Sequence, residues 1–395
     1  MSARPVETTS VKSRPTRARA GRGWIAVLTA LAVAGGVTAV RASAADTESA
    51  RHPDAVQRSL DGLVRDHQFP AALASVRERD GRVRDYTAGV ADLKTKAEVP
   101  VNGQVRIASN TKMFTATVVL QLVGEGRIDL DAPVETYLPG VVRGNGFDGN
   151  RITVRQLLQH TSGLPDYDEA VLKDVVSTLH VHVEPRELVD VALAQPRPEP
   201  GWSYANTNYV LAGLVVQKVT GRPIGEEITN RIINRLGLRE TYWPGVGEQR
   251  IRGAHPHGYL TPQGSTTPVD VTESDPSGGW AAGQLVGTPR DLNRFMTALL
   301  DGTLLAPELL RQMRTTVEAP GFDTVGESRY GLGIATFKLS CGGFAWTHGG
   351  LAPGYTTANG VGPDGKAATV VVTALSSTLP AYQRVEAALD TALCE

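Results

Sequence analysis

Ser109 and Lys112 stand three residues apart at the head of the apolar segment from Met113 to Val123. On a helix, positions i and i+3 lie on the same face, so the serine hydroxyl and the lysine amine can contact each other. A hydroxyl beside an amine is a candidate nucleophile with its base. The pair alone is weakly specific, because a serine and a lysine at this spacing also arise by chance.

Two further motifs have the residue types that such a site requires. Tyr204 and Asn206 lie just before a predicted helix, where a phenol and an amide can face a cleft; alternatively, Tyr204 packs and Asn206 caps the helix. His348 is followed by Gly349 and Gly350 at the end of a predicted strand. Glycines there let a substrate backbone pair with the strand edge, although a plain turn is the alternative.

The absence of two motifs disfavours other catalytic classes. No Gly-x-Ser-x-Gly elbow is present, which disfavours the usual α/β-hydrolase. No His-Glu-x-x-His motif is present, and the pairs His180-x-His182 and His255-x-His257 lack partners at metal-binding spacing. We interpret these four histidines as surface or loop residues and expect no metal.

The elements that must position the motifs follow from periodicity and turn signals. Strand signals at both ends with helices between them predict an α+β fold, in which an antiparallel sheet is closed by both termini and carries a large helical insertion. The predicted helices are Pro53 to Phe69, Asn110 to Val123, Thr153 to Gln159, Pro185 to Ala194, Thr207 to Thr220 and Leu379 to Leu393. The predicted strands are Ala71 to Arg77, Val83 to Gly89, Gly331 to Phe337, Gly342 to His348 and Ala367 to Leu375.

Residues 1–44 have the layout of a secretory signal peptide. They hold seven basic side chains and one acidic side chain, then the uncharged segment Trp24 to Val40 and the small-x-small site Ala42 to Ala44. An uncleaved anchor is the alternative, but seventeen residues are at the lower limit for spanning a bilayer. We predict cleavage near Ala44, secretion, and no stable membrane anchor after cleavage.

Residues 45–395 are predicted to form one domain, with a sheet part at about 53–106 and 280–395 and a helical part at about 107–279. This body is mildly acidic and has no basic stripe, so nucleic acid is excluded as a partner. We expect a monomer.

Cys341 and Cys394 are the two cysteines of the chain. In an exported protein, a sparse, even number of cysteines favours one disulfide, here closing a loop of about fifty residues. Two free buried thiols are the alternative.

Taken in chain order, the three motifs resemble those of the penicillin-recognising serine hydrolases: Ser109-x-x-Lys112, Tyr204-x-Asn206 and His348-Gly349-Gly350. The branch they resemble is that of the serine-type D-alanyl-D-alanine carboxypeptidases and class C β-lactamases. The likeness extends over nearly all of residues 53–394. It implies a β-lactamase/transpeptidase-like fold and, from the Ser340-Cys341-Gly342 segment and the late cysteine, a Cys341 to Cys394 bridge.

The resemblance also implies roles. Ser109 would attack the carbonyl carbon, and the backbone N–H groups of Ser109 and Leu351 would form the oxyanion hole. Lys112 and Tyr204 would share proton transfer in an order that the motifs do not specify. A tyrosine acts as a base only if its pKa falls well below about 10, which a neighbouring ammonium promotes. Asn206 would hold the substrate amide or Lys112.

His348 stands where relatives carry lysine or histidine, and it would tune the electrostatics of the site. No metal or organic cofactor is implied.

The chain departs from the carboxypeptidase pattern at the positions that would receive a substrate carboxylate. Ala335, Gly349 and Leu351 stand where a basic residue and two hydroxyl residues are expected, and Lys338 or Arg329 would have to substitute. This departure weakens the case for a strict D,D-carboxypeptidase and favours a wider pocket for esters, amides or longer D-peptides. The resemblance as a whole implies a secreted carboxypeptidase-like hydrolase of D-amino-acid peptides with β-lactam reactivity. The alternatives are an esterase or class C-like β-lactamase on the same scaffold, and a non-catalytic binder of peptidoglycan or β-lactams.

Overall fold

The computed structural model of the protein describes residues 54–67, 69–171, 175–375 and 378–395. The predicted signal peptide lies outside these residues. Within the described part of the chain, no helix is both long and apolar enough to cross a membrane.

An antiparallel sheet built from both ends of the chain forms the centre of the fold. The strand Ala71–Arg77 pairs on one side with Val83–Gly89 and on the other with Ala367–Val372, with Ala72 opposite Val372. Across the sheet the order is Val83–Gly89, Ala71–Arg77, Ala367–Val372, Tyr355–Val361, Phe344–Thr347, Ala335–Lys338, Arg329–Tyr330 and Val317–Glu318, and Gly350–Ala352 also pairs with Tyr355–Val361. This arrangement confirms the predicted α+β fold with its antiparallel sheet.

Both faces of the central strands are covered, which explains their continuous apolar runs. Alternate residues of one strand contribute to different cores: Ala72 and Ala74 pack with the helices Ala55–His67 and Leu379–Cys394, while Ala71 and Leu73 belong to the main core. On that second face the helix Pro289–Leu300 lies against the sheet.

Helices dominate the chain between the two groups of strands. Thr111–Gly124 runs through the main core with most of its side chains buried, as its apolar sequence requires. The further helices are Val134–Tyr137, Val154–Leu158, Asp168–Val171, Val175–Thr178, Pro185–Leu193, Asn206–Thr220, Ile224–Ile228, Asn234–Leu236, Trp280–Gly283 and Pro307–Met313, with 3₁₀ turns at Ala108–Asn110, Gly149–Arg151 and Pro276–Gly278 and a π-turn at Thr229–Ile233. Short strand pairs join Val105–Arg106 to Val286–Gly287, Arg143–Gly144 to Phe147–Asp148 and Tyr259–Leu260 to Val269–Asp270.

A disulfide joins Cys341 to Cys394 across 53 residues, with their Cα atoms 5.7 Å apart. It ties the turn after the strand Ala335–Lys338 to the end of the C-terminal helix. The predicted bridge is present, and the alternative of two free thiols is wrong.

The strand Tyr355–Val361 was not predicted, although it lies between two predicted strands in the sheet. It is fully buried, yet Thr356, Thr357 and Asn359 are polar. Their side chains bond to other buried groups, so the strand shows neither an apolar run nor a polar alternation. The predicted strand Gly331 to Phe337 is also shorter and later, at Ala335–Lys338.

Candidate active site

Ser109 lies in the 3₁₀ turn Ala108–Asn110, directly before the helix Thr111–Gly124. The turn begins with a left-handed backbone at Ala108, whose φ of 49° is unusual for a residue with a side chain. The Asn110 amide braces the same turn by donating to the Ile107 carbonyl at 2.6 Å and to Thr357 Oγ1 at 2.7 Å. Local strain held by buried hydrogen bonds thus positions Ser109.

Lys112 contacts Ser109, as their spacing predicts. Lys112 Nζ lies 3.1 Å from Ser109 Oγ, and it also donates to Asn206 Oδ1 at 2.5 Å and to the Ala282 carbonyl at 3.0 Å. Complete burial lowers the pKa of Lys112 to about 7, against the opposing attraction of Asp168 and Asp166. A lysine with this pKa is partly neutral near pH 7 and can accept the Ser109 proton.

The Tyr204 side chain interacts with that of Ser109. Lys112 Nζ is 4.9 Å from the centroid of the Tyr204 ring. Burial nevertheless raises the pKa of Tyr204 well above its ordinary value, although the bond to Ser109 acts in the opposite direction. This direction is opposite to the one that a tyrosine base requires, so the electrostatics favour Lys112 as the proton acceptor and a neutral phenol at Tyr204.

Asn206 is the first residue of the helix Asn206–Thr220, and its side chain does not cap that helix. Its Oδ1 accepts the bond from Lys112, while its Nδ2 donates to Asp168 Oδ2 at 2.6 Å and to Asp166 Oδ2 at 3.2 Å. Two roles were predicted for Asn206, holding the substrate amide or holding Lys112. The observed hydrogen bond corresponds to the second.

Asp166 and Asp168 were not predicted as site residues. Burial raises the pKa of both carboxyl groups, that of Asp168 to about 7. The only signal in the sequence was slight: two acidic residues two positions apart. However, acidic residues in a loop are ordinarily exposed, and only the tertiary contacts place these two beside Lys112.

His160 was also missed. Its Nδ1 accepts from Ala205 N at 3.2 Å and its carbonyl accepts from Ser203 N at 3.1 Å, so it binds the backbone on both sides of Tyr204. Its backbone is left-handed, with φ of 60°, and its buried Nε2 has no hydrogen-bond partner. Burial lowers its pKa well below the usual value.

His348 is completely buried at the edge of the cleft. The Tyr330 hydroxyl lies 2.9 Å from its Nε2 and the Gly349 carbonyl 2.7 Å from its Nδ1, which fits a neutral ring that accepts from Tyr330 and donates to Gly349. Burial, with repulsion from Lys112, lowers its pKa to about 3. His348 therefore adds no positive charge to the site.

Gly350 allows the strand that carries Leu351 to lie against the turn that carries Ser109. A Cβ atom at Gly350 would be 2.6 Å from both the Ile107 carbonyl oxygen and Thr357 Oγ1. At Gly349 a Cβ would meet the Tyr382 hydroxyl at 2.6 Å. The two glycines are thus required by close packing.

Ser109, Tyr204, Asn206 and His348 open onto one cavity of about 750 Å³. The rest of the wall is largely apolar, which suits an amino-acid side chain or acyl group. Its apolar and aromatic lining comprises Val171, Val175, Leu179, Val181, Val183, Trp202, Phe322, Leu351, Leu379 and Tyr382.

The charged groups of the cavity are mostly acidic. Among the described lining residues, the carboxylates are those of Asp166, Asp168, Asp275 and Asp323, and Arg106 carries the one guanidinium. Arg106 Nη2 already donates to three backbone carbonyls, those of Gln249, Thr272 and Ser274, at 2.7 to 3.1 Å.

Neither proposed substitute for the missing carboxylate receptor reaches the cavity. Ala335 is buried in the sheet, Lys338 pairs with Glu327 at 2.8 Å, and Arg329 donates to Thr316 Oγ1 at 3.0 Å. Neither basic side chain belongs to the described lining.

The histidine pairs lie elsewhere. His180 contacts Gln249, His182 lies near Glu184, and His257 Nδ1 lies 2.6 Å from Asp270. Over the described ranges, no three His, Cys, Asp or Glu side chains are grouped so that they could hold a metal ion.

Comparison with known proteins gives one family match, to the family described as Beta-lactamase, over residues 56–392. Among curated proteins, "Penicillin-binding protein 4*" of Bacillus subtilis is 27% identical over 76% of this chain. The match covers 67% of the length of that protein. The matches to "Putative penicillin-binding protein PbpX" of Bacillus subtilis and to a penicillin-binding protein of Amycolatopsis lactamdurans cover 60% and 63% of the lengths of those proteins.

Two of the solved structures that this chain resembles match it over most of its length. A D-stereospecific amidohydrolase from Streptomyces sp. is 40% identical, with a TM-score of 0.75 over 81% of this chain and 93% of its own. A D-amino acid amidase from Ochrobactrum anthropi SV3, complexed with L-phenylalanine amide, is 28% identical, with a TM-score of 0.73 over 86% of this chain and 96% of its own.

Proposed function

We propose that this chain, which belongs to the β-lactamase family of serine hydrolases, hydrolyses amides of D-amino acids and short D-peptides through an acyl-enzyme on Ser109. The observation that supports the proposal most strongly is that Lys112 hydrogen-bonds both Ser109 and Asn206 at the wall of an acidic cavity. The amide substrate class is supported by the names of the two structural neighbours.

The chemistry begins with Ser109 Oγ attacking the amide carbon while its proton passes to neutral Lys112. The N–H groups of Ser109 and Leu351 stabilise the oxyanion, and the positive end of the helix Thr111–Gly124 adds to this stabilisation. The leaving amine takes the proton back through Lys112 and the Tyr204 hydroxyl. Water then cleaves the ester to Ser109 by the same groups in reverse.

The charge of the cavity supports an amide substrate over a carboxylate-terminated peptide. A terminal carboxylate would meet aspartates and a neutral His348, without the charge-assisted bonds worth about 1.5 to 3 kcal/mol each. The α-ammonium of an amino-acid amide is attracted by the same carboxylates. Strict D-alanyl-D-alanine carboxypeptidase activity is therefore the weaker of the two peptidase hypotheses.

A substrate series tests the proposal. D-phenylalanine amide, its L-enantiomer and a D-alanyl-D-alanine peptide are compared by kcat/KM, with a cephalosporin and a nitrophenyl ester to rank the β-lactamase and esterase alternatives. We expect the D-amide to exceed both the L-amide and the D,D-peptide. A D,D-peptide turned over faster than the D-amide would overturn the substrate assignment.

Binding without turnover is the remaining alternative, in which the protein binds peptidoglycan or a β-lactam. It is distinguished by incubation with a penicillin and with the D-amide over hours. Persistent acylation of Ser109 with no released product from either compound would support a binder.

Export as a monomer belongs to the same proposal. The disulfide between Cys341 and Cys394 supports an oxidising destination, and signal cleavage near Ala44 would deliver the chain there. N-terminal sequencing of the mature product, together with its mass in solution, checks both points. A product that begins before Trp24 would contradict cleavage.

A further inference from the structure

Two partly buried carboxyl groups, those of Asp166 and Asp168, lie close to the buried amine of Lys112. A series of hydrogen bonds starts at Ser109 and ends at Asp166 and Asp168. Both aspartates accept from the same amide nitrogen, Asn206 Nδ2. The opposite end of that amide accepts from Lys112 Nζ. Each partner of Asn206 therefore fixes which way its amide faces.

The orientation matters because a flipped amide would present its NH₂ group to the Lys112 amine. Two donors would then face each other, and Lys112 would lose a bond of 2.5 Å that holds it beside Ser109. In their ionised form the two carboxylates only accept, so they bind the Nδ2 end of the amide and exclude the flipped state.

The same carboxylates act on the charge of Lys112. Their attraction favours the ammonium form and opposes the effect of burial. The titratable groups that face Lys112 or couple to it come from every neighbouring element: Asp166, Asp168, His160, His348, Tyr204 and Tyr209. Of these, the two aspartates supply the negative charge.

We propose that Asp166 and Asp168 are positioning residues that act through Asn206 on Lys112, by fixing the orientation of the Asn206 amide and by stabilising the Lys112 ammonium. The inference rests on the proposed role of Lys112 as the base for Ser109, but not on the identity of the substrate. Each aspartate therefore acts both as a hydrogen-bond acceptor and as a charge, and two substitutions separate these effects.

Asp168→Asn retains an oxygen that can accept from Asn206 Nδ2 and removes the charge. The neutral amine of Lys112 then persists to lower pH, so the ascending limb of the pH profile moves down by about 1 to 3 pH units with its plateau within a few-fold of the original. Asp168→Ala removes the acceptor as well, and we expect its plateau to fall about 10-fold or more because the base is misplaced.

The experiment follows the rate at which a fluorophosphonate labels the full-length protein between pH 4 and 9. The Ser109 oxygen bonds to phosphorus, fluoride leaves and Lys112 takes the proton, so no amide specificity is involved. The matched control is Asp291→Asn, because Asp291 is a partly buried carboxyl that does not belong to the described lining of the cavity, and Asn can likewise accept the bond that it receives from Glu240 N. Its labelling midpoint should stay that of the original protein.

A second variant, Asp166→Asn, should shift the midpoint in the same direction, and it keeps the test usable if Asp168 variants fail to fold. Superimposable pH profiles for the original protein and the Asp→Asn variants would overturn the inference while leaving the nucleophile in place. Equal labelling of the original protein and a Ser109→Ala variant would instead overturn the proposed function, and the inference with it.

Discussion

The imidazole ring of His160 lies 4.3 Å from the phenol ring of Tyr204, with an angle of 30° between the two planes. The same histidine accepts from Ala205 N through its side chain and from Ser203 N through its carbonyl. Tyr204 is thus held at its ring and on both sides of its backbone by one residue. We infer that His160 positions Tyr204 for its proposed role in proton transfer.

Replacing His160 by Phe tests this support. The ring contact remains, but the buried Ala205 N–H loses its acceptor, which costs about 1 to 3 kcal/mol of stability. We expect kcat/KM for a nitrophenyl ester to fall by up to about 100-fold, because Tyr204 moves relative to Ser109. His160→Asn, which tolerates a left-handed backbone and retains an acceptor, should recover part of the loss; equal activity in both variants and the original would contradict the role.

Gly350→Ala should damage catalysis through packing. The added methyl group meets the Ile107 carbonyl and Thr357 Oγ1, so we expect a loss of about 1 to 3 kcal/mol in unfolding free energy and a lower kcat. The control is Gly62→Ala in the helix Ala55–His67, where the added Cβ has room and helix propensity favours alanine. Thermal unfolding and ester turnover distinguish them, and an unaffected Gly350→Ala protein would count against the close approach.

Removing the disulfide should lower stability with little effect on the active site. The Cys341 to Cys394 loop of 53 residues corresponds to about 4 kcal/mol in the loop-entropy estimate. Neither cysteine lines the cavity. We expect Cys394→Ser to lower the melting temperature and retain kcat at 25 °C, and added reductant should destabilise the original protein but not the variant. A variant with an unchanged melting temperature would refute the stabilising role.

The pH dependence of acylation should report Lys112. Its pKa is lowered to about 7, so the neutral amine that accepts the Ser109 proton is populated above that pH. The acylation rate with a neutral ester should therefore rise through pH 7 and then level off. Since the pKa of His348 is lowered to about 3, a His348→Gln variant should retain this limb. A rate that is flat from pH 5 to 9 would be inconsistent with Lys112 as the base.

The contacts predicted from sequence are those that depend on local spacing. Lys112 reaches Ser109 because three residues separate them on one helical path, and the hairpin at Ala71–Arg77 and Val83–Gly89 has its predicted bounds. The roles of His160 and Asp168 depend on tertiary contacts with Tyr204 and Asn206, which no local pattern encodes.

The protonation states of Lys112 and Tyr204 could not be predicted from the sequence for the same reason. A lysine next to a tyrosine suggested a lowered tyrosine pKa, whereas complete burial lowers the pKa of Lys112 and raises that of Tyr204. Burial is a property of the whole fold, and it dominates over the charge of one neighbour.

The most direct test of the central claim is mass detection of the acyl-enzyme formed from D-phenylalanine amide. We expect rapid quenching of the original protein to trap a phenylalanyl adduct that peptide mapping places on Ser109. The Ser109→Ala protein should give no adduct and no released ammonia. Ammonia release by that variant at the original rate, or an adduct on another residue, would contradict the assignment of Ser109 as the nucleophile.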